Sequence, residues 1–253
     1  VNMPWRNLLR KEYLMKLPKD RLVVMYCYNG HIGSQLASVL NLLGYNAKYL
    51  RWGFTSWVCD PEKIQGAYVE KGDCQAYPVE KAARESTMSY PFPVVKATGS
   101  PNIAELIRAA GNAWLRRNKP GEISNDDLFL YMSSSDPGRD PCIIDIRRKE
   151  DYLKGHIAGA YHVPFKELAK KETLKRLPVS KQIVVCGYIG GDNAGAATAI
   201  LNMLGYNAVN LRWGMTSWTF DKDVAPGRYE KTKDCMGYLS ITGSDAGVVM
   251  SVY

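Results

Sequence analysis

Two short apolar runs, Leu22-Val-Val-Met-Tyr26 and Gln182-Ile-Val-Val185, are too brief for helices and rich in β-branched residues, so each is expected as a buried strand. Each leads into a glycine-containing loop. A small-residue amphipathic stretch then follows, Ser34–Leu43 or Gly195–Leu204, with the period of a helix. Gly44 and Gly205 close these helices where a capping glycine belongs. Asn46–Leu50 and Asn207–Leu211 read as the next strands. Ala104–Asn118 is helical by period, and Ser124 before Asp126 and Asp127 reads as an N-cap with an acidic first turn. Cys142–Ile146 is a further buried strand. This alternation predicts an α/β fold, with mainly parallel sheets flanked by helices.

The pattern occurs twice. Leu40–Ala47 returns as Leu201–Ala208, and Leu50-Arg-Trp-Gly-Phe-Thr-Ser-Trp57 as Leu211-Arg-Trp-Gly-Met-Thr-Ser-Trp218. Over residues 34–57 against 195–218, 14 of 24 positions are identical. The offset is 161 there, 160 upstream (Pro4 with Pro164, Leu17-Pro18 with Leu177-Pro178) and 159 if Cys27 is matched to Cys186. A period this long means domain duplication rather than a solenoid. The expected organisation is a first domain over 1–77, a proline-containing linker over 78–99, a second domain over 100–238 and a tail over 239–253. Val1 aligns with Tyr161, so the first domain is expected to be incomplete. The counterpart of the strand Cys142–Ile146 would then come from another segment, either the protein's own N-terminal fragment or a second copy.

Composition narrows the function classes little. The 253 residues carry 33 Lys and Arg against 25 Asp and Glu, a net charge of +8. The sign of the charge alone does not choose between nucleic acid, membrane and a small anion. The cations are scattered, with only short clusters such as Arg116-Arg117, so solvated surface charge is the favoured reading and no nucleic-acid partner is expected. No apolar run has the length of a membrane span, so no membrane partner is expected. Six cysteines without a CxxC pair, and three histidines, give neither zinc spacing nor a disulfide scaffold. No metal and no organic cofactor is expected, and cysteine usage leaves the compartment undecided. A Cys59–Cys74 disulfide is an option if the protein is exported, with unpaired cysteines the favoured reading.

The chemistry-bearing arrangement is strand, cysteine, glycine-rich loop, helix N-terminus. It occurs at Cys27-Tyr28-Asn29-Gly30-His31-Ile32-Gly33 and at Cys186-Gly187-Tyr188-Ile189-Gly190-Gly191-Asp192-Asn193. Backbone N–H groups curling around a sulfur, together with a helix N-terminus, stabilise thiolate over thiol. Such a cysteine suits attack on something anionic. The alternative is a buried cysteine acting as a small apolar side chain.

Asp145-Ile-Arg147, Gly155-His-Ile-Ala-Gly-Ala160, the Cys186 loop and Leu211-Arg-Trp-Gly214 together resemble the signatures of rhodanese domains. Cys27–Ser34 with Leu50-Arg-Trp-Gly53 resembles the later signatures of a second one. The resemblance implies two rhodanese-like domains and sulfurtransferase activity. In that activity Cys27 and Cys186 would take sulfane sulfur from an anionic donor such as thiosulfate as a persulfide. A thiol or cyanide would accept it, and residues 28–33 and 187–193 would hold the donor. Both loops depart from the family pattern in lacking the arginine six residues after the cysteine. The second is longer by two residues in this alignment and contains Asp192, which opposes an anion. A longer loop is similar to that of dual-specificity phosphatases, but these need the arginine. A rhodanese fold kept for protein binding or sulfur sensing is the rival reading.

The remaining polar residues read as structural. His31 is expected to face solvent, His156 and His162 to make structural hydrogen bonds, and Asp145 and Arg147 to form an ion pair or turn anchor. The recurring Trp52, Trp57, Trp213 and Trp218 are expected to pack in the core or loops.

Overall fold

The structure, a computed structural model, describes residues 2–64, 66–96, 98–117, 121–136 and 138–240. Most of the expected tail, and Asn118 at the end of an expected helix, lie outside these residues.

The second copy is a five-stranded parallel sheet in the order β4-β9-β8-β5-β7. Its strands are β4 (Glu122–Ile123), β5 (Cys142–Asp145), β7 (Tyr161–His162), β8 (Gln182–Cys186) and β9 (Asn207–Leu211). β5 and β8 are central and nearly wholly buried, which explains their unbroken apolar character. Apolar clusters cover both faces. One gathers Ile144, Ile183 and Val185 with Ala197 and Leu201, and the other Ile143, Val184 and Cys186 with Met215 and Trp218. Among the described residues the first copy has only β1 (Val23–Met25) and β2 (Ala47–Tyr49), paired in parallel. Val23 and Met25 face a cluster with Leu36, Leu40 and Trp114, whereas Val24 and Tyr26 are exposed.

The helices follow the predicted period but start earlier. They run over His31–Leu42 and Asn193–Met203, with Gly44 and Gly205 at positive φ just beyond their ends. The early start of the first follows from Gly30, whose φ of 91° turns the chain straight into the helix. Helix Ile103–Arg116 is capped by Asn102, and Ser124 caps the next helix through Asp127 N–H, as its sequence predicts.

The two loop helices pack directly on one another. A Cβ on Gly195 would fall 1.9 Å from Ser34 Oγ, so their crossing needs a residue without a side chain. The copies then exchange arms. Gln75 and Tyr77 of the first repeat donate backbone N–H bonds to Ser217 and Trp218, while Met236 and Tyr238 of the second donate to Ser56 and Trp57. The Tyr68 hydroxyl donates to Thr216 O and that of Tyr229 to Thr55 O, again crosswise. The expected boundary at 77 therefore follows the chain but not the packing.

The segment expected as a linker also makes contacts with the second copy. Within it β3 (Val79–Glu80) pairs antiparallel with β6 (His156–Ile157), and Tyr90 N–H donates to Lys175 O. The Cys59–Cys74 disulfide weighed for an exported protein does not form, and Cys59 is not an unpaired cysteine either. Cys59 is bonded to Cys235 on the exchanged arm, and Cys74 is free and buried against the second copy. Pairing by proximity in sequence fails because the arms cross.

Candidate functional site

Strand pairing fixes the register of the two loops independently of sequence identity. Val23 sits opposite Ala47 on β2, and Ile183 sits opposite Ala208, the repeat of Ala47, on β9. The offset through the strands is therefore 160 rather than 159. Cys186 corresponds to Tyr26, and Cys27 corresponds to Gly187. The next turn agrees: Phe54 N–H donates to Cys27 O, and Met215 N–H donates to Gly187 O. Gly30 and Gly190, both at positive φ, also match at 160. The second loop is thus longer by one residue, not two, and has no cysteine at the position Cys27 holds.

One residue inverts the direction of a strand side chain. Cys186 is the last residue of β8 and lies in the core with Val184, Leu211 and Trp218. It is 0% exposed. Burial, reinforced by Asp145, pushes its thiol well above the usual range against the pull of Arg147, with Asp192 raising it further. The sequence leads to the expectation of Cys186 as a second catalytic nucleophile; the structure places it at the end of β8 inside the core rather than in the loop, a setting that disfavours the thiolate. Cys142 and Cys74 are likewise raised by burial, Cys142 to about 11.

Cys27 heads its loop and is half-buried. The Gly30 N–H donates to its sulfur at 3.2 Å, and the thiol lies 3.7 Å from Asn29 Oδ1. Asn29 Oδ1 also accepts from His31 N–H. Tyr28 is exposed, and Ile32 packs against the first core. Gly33 lies in the first helical turn, where a Cβ would meet Met25 O at 3.3 Å. The Arg-Trp-Gly turn supports the loop from beneath. At Gly53, with φ of 60°, a Cβ would stand 2.3 Å from Cys27 O, so only glycine fits.

The second loop is filled by its own side chain. Asp192 accepts N–H bonds from Tyr188 (2.9 Å), Ile189 (3.4 Å) and Ala194 (2.9 Å). A Cβ on Gly187 would meet Asp192 Oδ1 at 2.5 Å, so the carboxylate stands where the counterpart of the Cys27 side chain would be. The Tyr188 hydroxyl donates to Asp151 at 2.6 Å. Burial would raise the Asp151 carboxyl, but bonds from Tyr188, Lys154 and Arg148 bring it down to about 2. Ile189 is buried between the copies with Trp52 and Trp213. Gly190 and Gly191 lie against His31, and Asn193 is exposed at the helix start.

His31 does not face solvent. It is fully buried between the copies, edge-on to the Trp213 ring. Its Nδ1 meets Glu122 Oε2 and its Nε2 meets Ile189 O at 3.2 Å. Each ring nitrogen faces an oxygen contributed by the second copy. Burial would raise the Glu122 carboxyl, but the His31 hydrogen bond and charge, then Arg212, hold it below its usual range. His31 is thus a bridge between the copies rather than a donor to substrate. No sequence signal marks this, because its partners lie 91 and 158 residues away.

The other structural readings agree with the coordinates. Arg147 pairs with Asp145 at 2.7 Å and donates to Val224 O and Gly155 O. His156 bonds Tyr152 O and His162 bonds Arg147 O. Trp52, Trp213 and Trp218 are buried. Among the described residues no group of three His, Cys, Asp or Glu could hold a metal ion, and no helix is long and apolar enough to cross a membrane.

Two parallel sheets whose strand ends carry related loops, one headed by a thiol, define a duplicated α/β protein built around a cysteine loop. A family model of the rhodanese-like domain matches residues 3–59 and 130–221, more than half of the chain. The chain belongs to the rhodanese-like family, and this supports a rhodanese-family role. A search of curated proteins finds no match. Among solved structures, a rhodanese-related protein from Thermoplasma volcanium is 27% identical, covering 37% of this chain and 84% of that one, with a TM-score of 0.32. A rhodanese-like domain protein from Staphylococcus aureus is 24% identical, covering 38% and 89%, with a TM-score of 0.35. A thiosulfate sulfurtransferase from Pseudomonas aeruginosa is 16% identical, covering 83% of this chain and 35% of that one, with a TM-score of 0.32.

Proposed function

We propose that the protein is a sulfurtransferase with one working loop, that of Cys27. The Cys27 thiolate attacks the outer sulfur of an anionic donor such as thiosulfate. The donor's S–S bond breaks, sulfite leaves with the electron pair, and a cysteine persulfide remains. A thiol or cyanide then attacks the outer sulfur, which restores the thiolate. The observation that carries this reading is the half-buried sulfur at the head of the loop with the Gly30 N–H directed at it. The backbone of residues 28–33 is the proposed donor site. Intact mass after thiosulfate treatment tests it. A gain of about 32 Da that disappears with cyanide is expected for a persulfide. No adduct on Cys27 would leave the rival, a rhodanese fold used for protein binding or sulfur sensing, which the missing loop arginine favours.

We also propose that a further polypeptide segment runs along the free edge of β1. The support is again internal. Val24 is 50% exposed, whereas its repeat Val184 is 0% exposed and lies on a strand whose corresponding edge is paired with β5. An open apolar edge is a template for pairing. The segment is either an N-terminal fragment of this protein or a second copy. Size exclusion with intact mass checks this: a cooperatively melting monomer of 28.3 kDa with nothing bound would sink it.

A further inference from the structure

We propose that the cleft between the turn around Trp5–Asn7 and the helix Ile103–Arg116 binds a small multivalent phosphate or phosphate ester. The cleft has a volume of about 530 Å³, within the roughly 300–1,000 Å³ typical of small-molecule sites. None of its lining residues belongs to either cysteine loop. It is lined by Arg6, Arg10, Lys11, Arg108 and Arg116, with Glu12 as its one carboxylate. Among the described residues none of the five cations takes part in an ion pair. Arg6 lies over the Trp5 ring at 4.2 Å, and its Nε is buried without a hydrogen-bond partner.

The second copy supplies the control. At the offset of 160, Arg6, Arg10, Lys11 and Glu12 become Lys166, Lys170, Lys171 and Glu172. Asn7, however, becomes Glu167, and Glu167 pairs with Lys170. That turn carries two carboxylates against three lysines and pairs one of them, whereas the first carries one carboxylate against three cations and pairs none. The first turn also packs on the helix that carries Arg108 and Arg116. Five cations gathered around a single carboxylate repel one another, and a bound anion relieves that repulsion. Four of the five are arginines, whose planar fork matches phosphate oxygens in pairs. One negative charge cannot answer several separated guanidinium groups, and this is why the ligand is multivalent.

Calorimetric titration of the full chain with inorganic tripolyphosphate tests the proposal, with inorganic phosphate and an oligothymidylate as further arms. Saturable binding that weakens with added salt is expected. The triple variant Arg10→Gln, Arg108→Gln, Arg116→Gln should bind at least about tenfold more weakly, because three charge-assisted contacts are lost. Glu12→Gln should bind more tightly, a change that misfolding could not produce. An unchanged Cys27 alkylation rate would show that both variants keep the fold. Three outcomes would overturn the proposal: no saturable binding of tripolyphosphate, the same affinity in the triple variant, or tight oligothymidylate binding that tripolyphosphate neither matches nor displaces.

Discussion

The two cysteine loops grow from strands of one register, sit on the same Arg-Trp-Gly turn and face each other across paired helices, yet they hold different things. The first holds a thiol. The second holds a carboxylate, Asp192, bonded to three backbone N–H groups that would otherwise be free for an incoming anion. Its cysteine has moved one residue back into the strand, and so into the core. A duplicated scaffold can keep its backbone while a single register step and one acidic side chain close one of its sites. The closed copy still serves the open one: it supplies Glu122 and Ile189 O to His31, and Tyr229 and Cys235 to the surroundings of Trp52 and Cys59.

The sharpest way to break this comparison is to remove each thiol. Cys27→Ser should abolish sulfur uptake from thiosulfate, since the persulfide has no other half-exposed free thiol to form on. Cys186→Ser should leave uptake near the wild-type level while lowering stability, because a hydroxyl would replace a thiol in a dry core. Mass spectrometry after thiosulfate treatment, with thermal melts, checks both. A loss of uptake in Cys186→Ser equal to that in Cys27→Ser would overturn the register argument.

The comparison can also be inverted. Gly187→Cys alone should destabilise the protein or leave a slow thiol, because the new Cβ meets Asp192 Oδ1 at 2.5 Å. Combining it with Asp192→Gly empties the nest. The resulting cysteine should alkylate at neutral pH within roughly tenfold of the Cys27 rate, and at least about a hundredfold faster than Cys186. Peptide mapping of alkylation rates reads all three sites in one experiment. A double variant as unreactive at position 187 as at Cys186 would show that the second loop differs in more than its plug.

Much of this was legible in the chain. β-branched runs, glycine caps and the repeat of Leu50–Trp57 at Leu211–Trp218 define the α/β alternation and the duplication. Asp145 with Arg147, and the Ser124 cap, are local in sequence and so readable from it. Non-local facts were not readable. Matching Cys27 to Cys186 is what sequence identity invites, and only the pairing of Val23 with Ala47 against Ile183 with Ala208 exposes the slip. Arm exchange is invisible for the same reason: Cys59 and Cys235 are separated by 176 residues, and Cys74 lay nearer in sequence.

The arms offer a smaller contrast, since only one is bolted. Cys235 is tied to Cys59, whereas at the equivalent place in the second copy Cys74 faces no partner cysteine. Chain-entropy arithmetic gives about 5 kcal/mol for closing a loop of this length, and disulfides typically deliver less, about 2–4 kcal/mol. Cys235→Ser should lower stability by about 2–4 kcal/mol. It should also speed amide exchange at Met236 and Tyr238, whose N–H groups bond Ser56 O and Trp57 O. Exchange at Gln75 and Tyr77 on the opposite arm should not change. Equal acceleration of both arms would mean that the disulfide holds the whole interface rather than one arm.

The smallest effect expected concerns the His31–Glu122 bridge, and pH gives its sign. Glu122 has its carboxyl held below the usual carboxylate range, so folding favours its ionised form. The unfolded chain binds that proton more readily than the folded one. The resulting stabilisation is fully present above the unfolded carboxyl value of about 4.3 and is lost as pH falls through the lower folded value. Glu122→Gln keeps an acceptor for His31 but removes the charge. Given that the Glu122 side chain is 26% exposed, the cost should be about 1–2 kcal/mol near neutral pH. The cost should shrink toward zero in acid, where the wild-type carboxylate is itself protonated. Denaturant melts of both proteins from neutral pH down to acid would show two stability curves converging. A gap between them that stays constant through the carboxylate range would mean that Glu122 acts through shape alone, and that the open and closed copies are joined by packing rather than by this charged bridge.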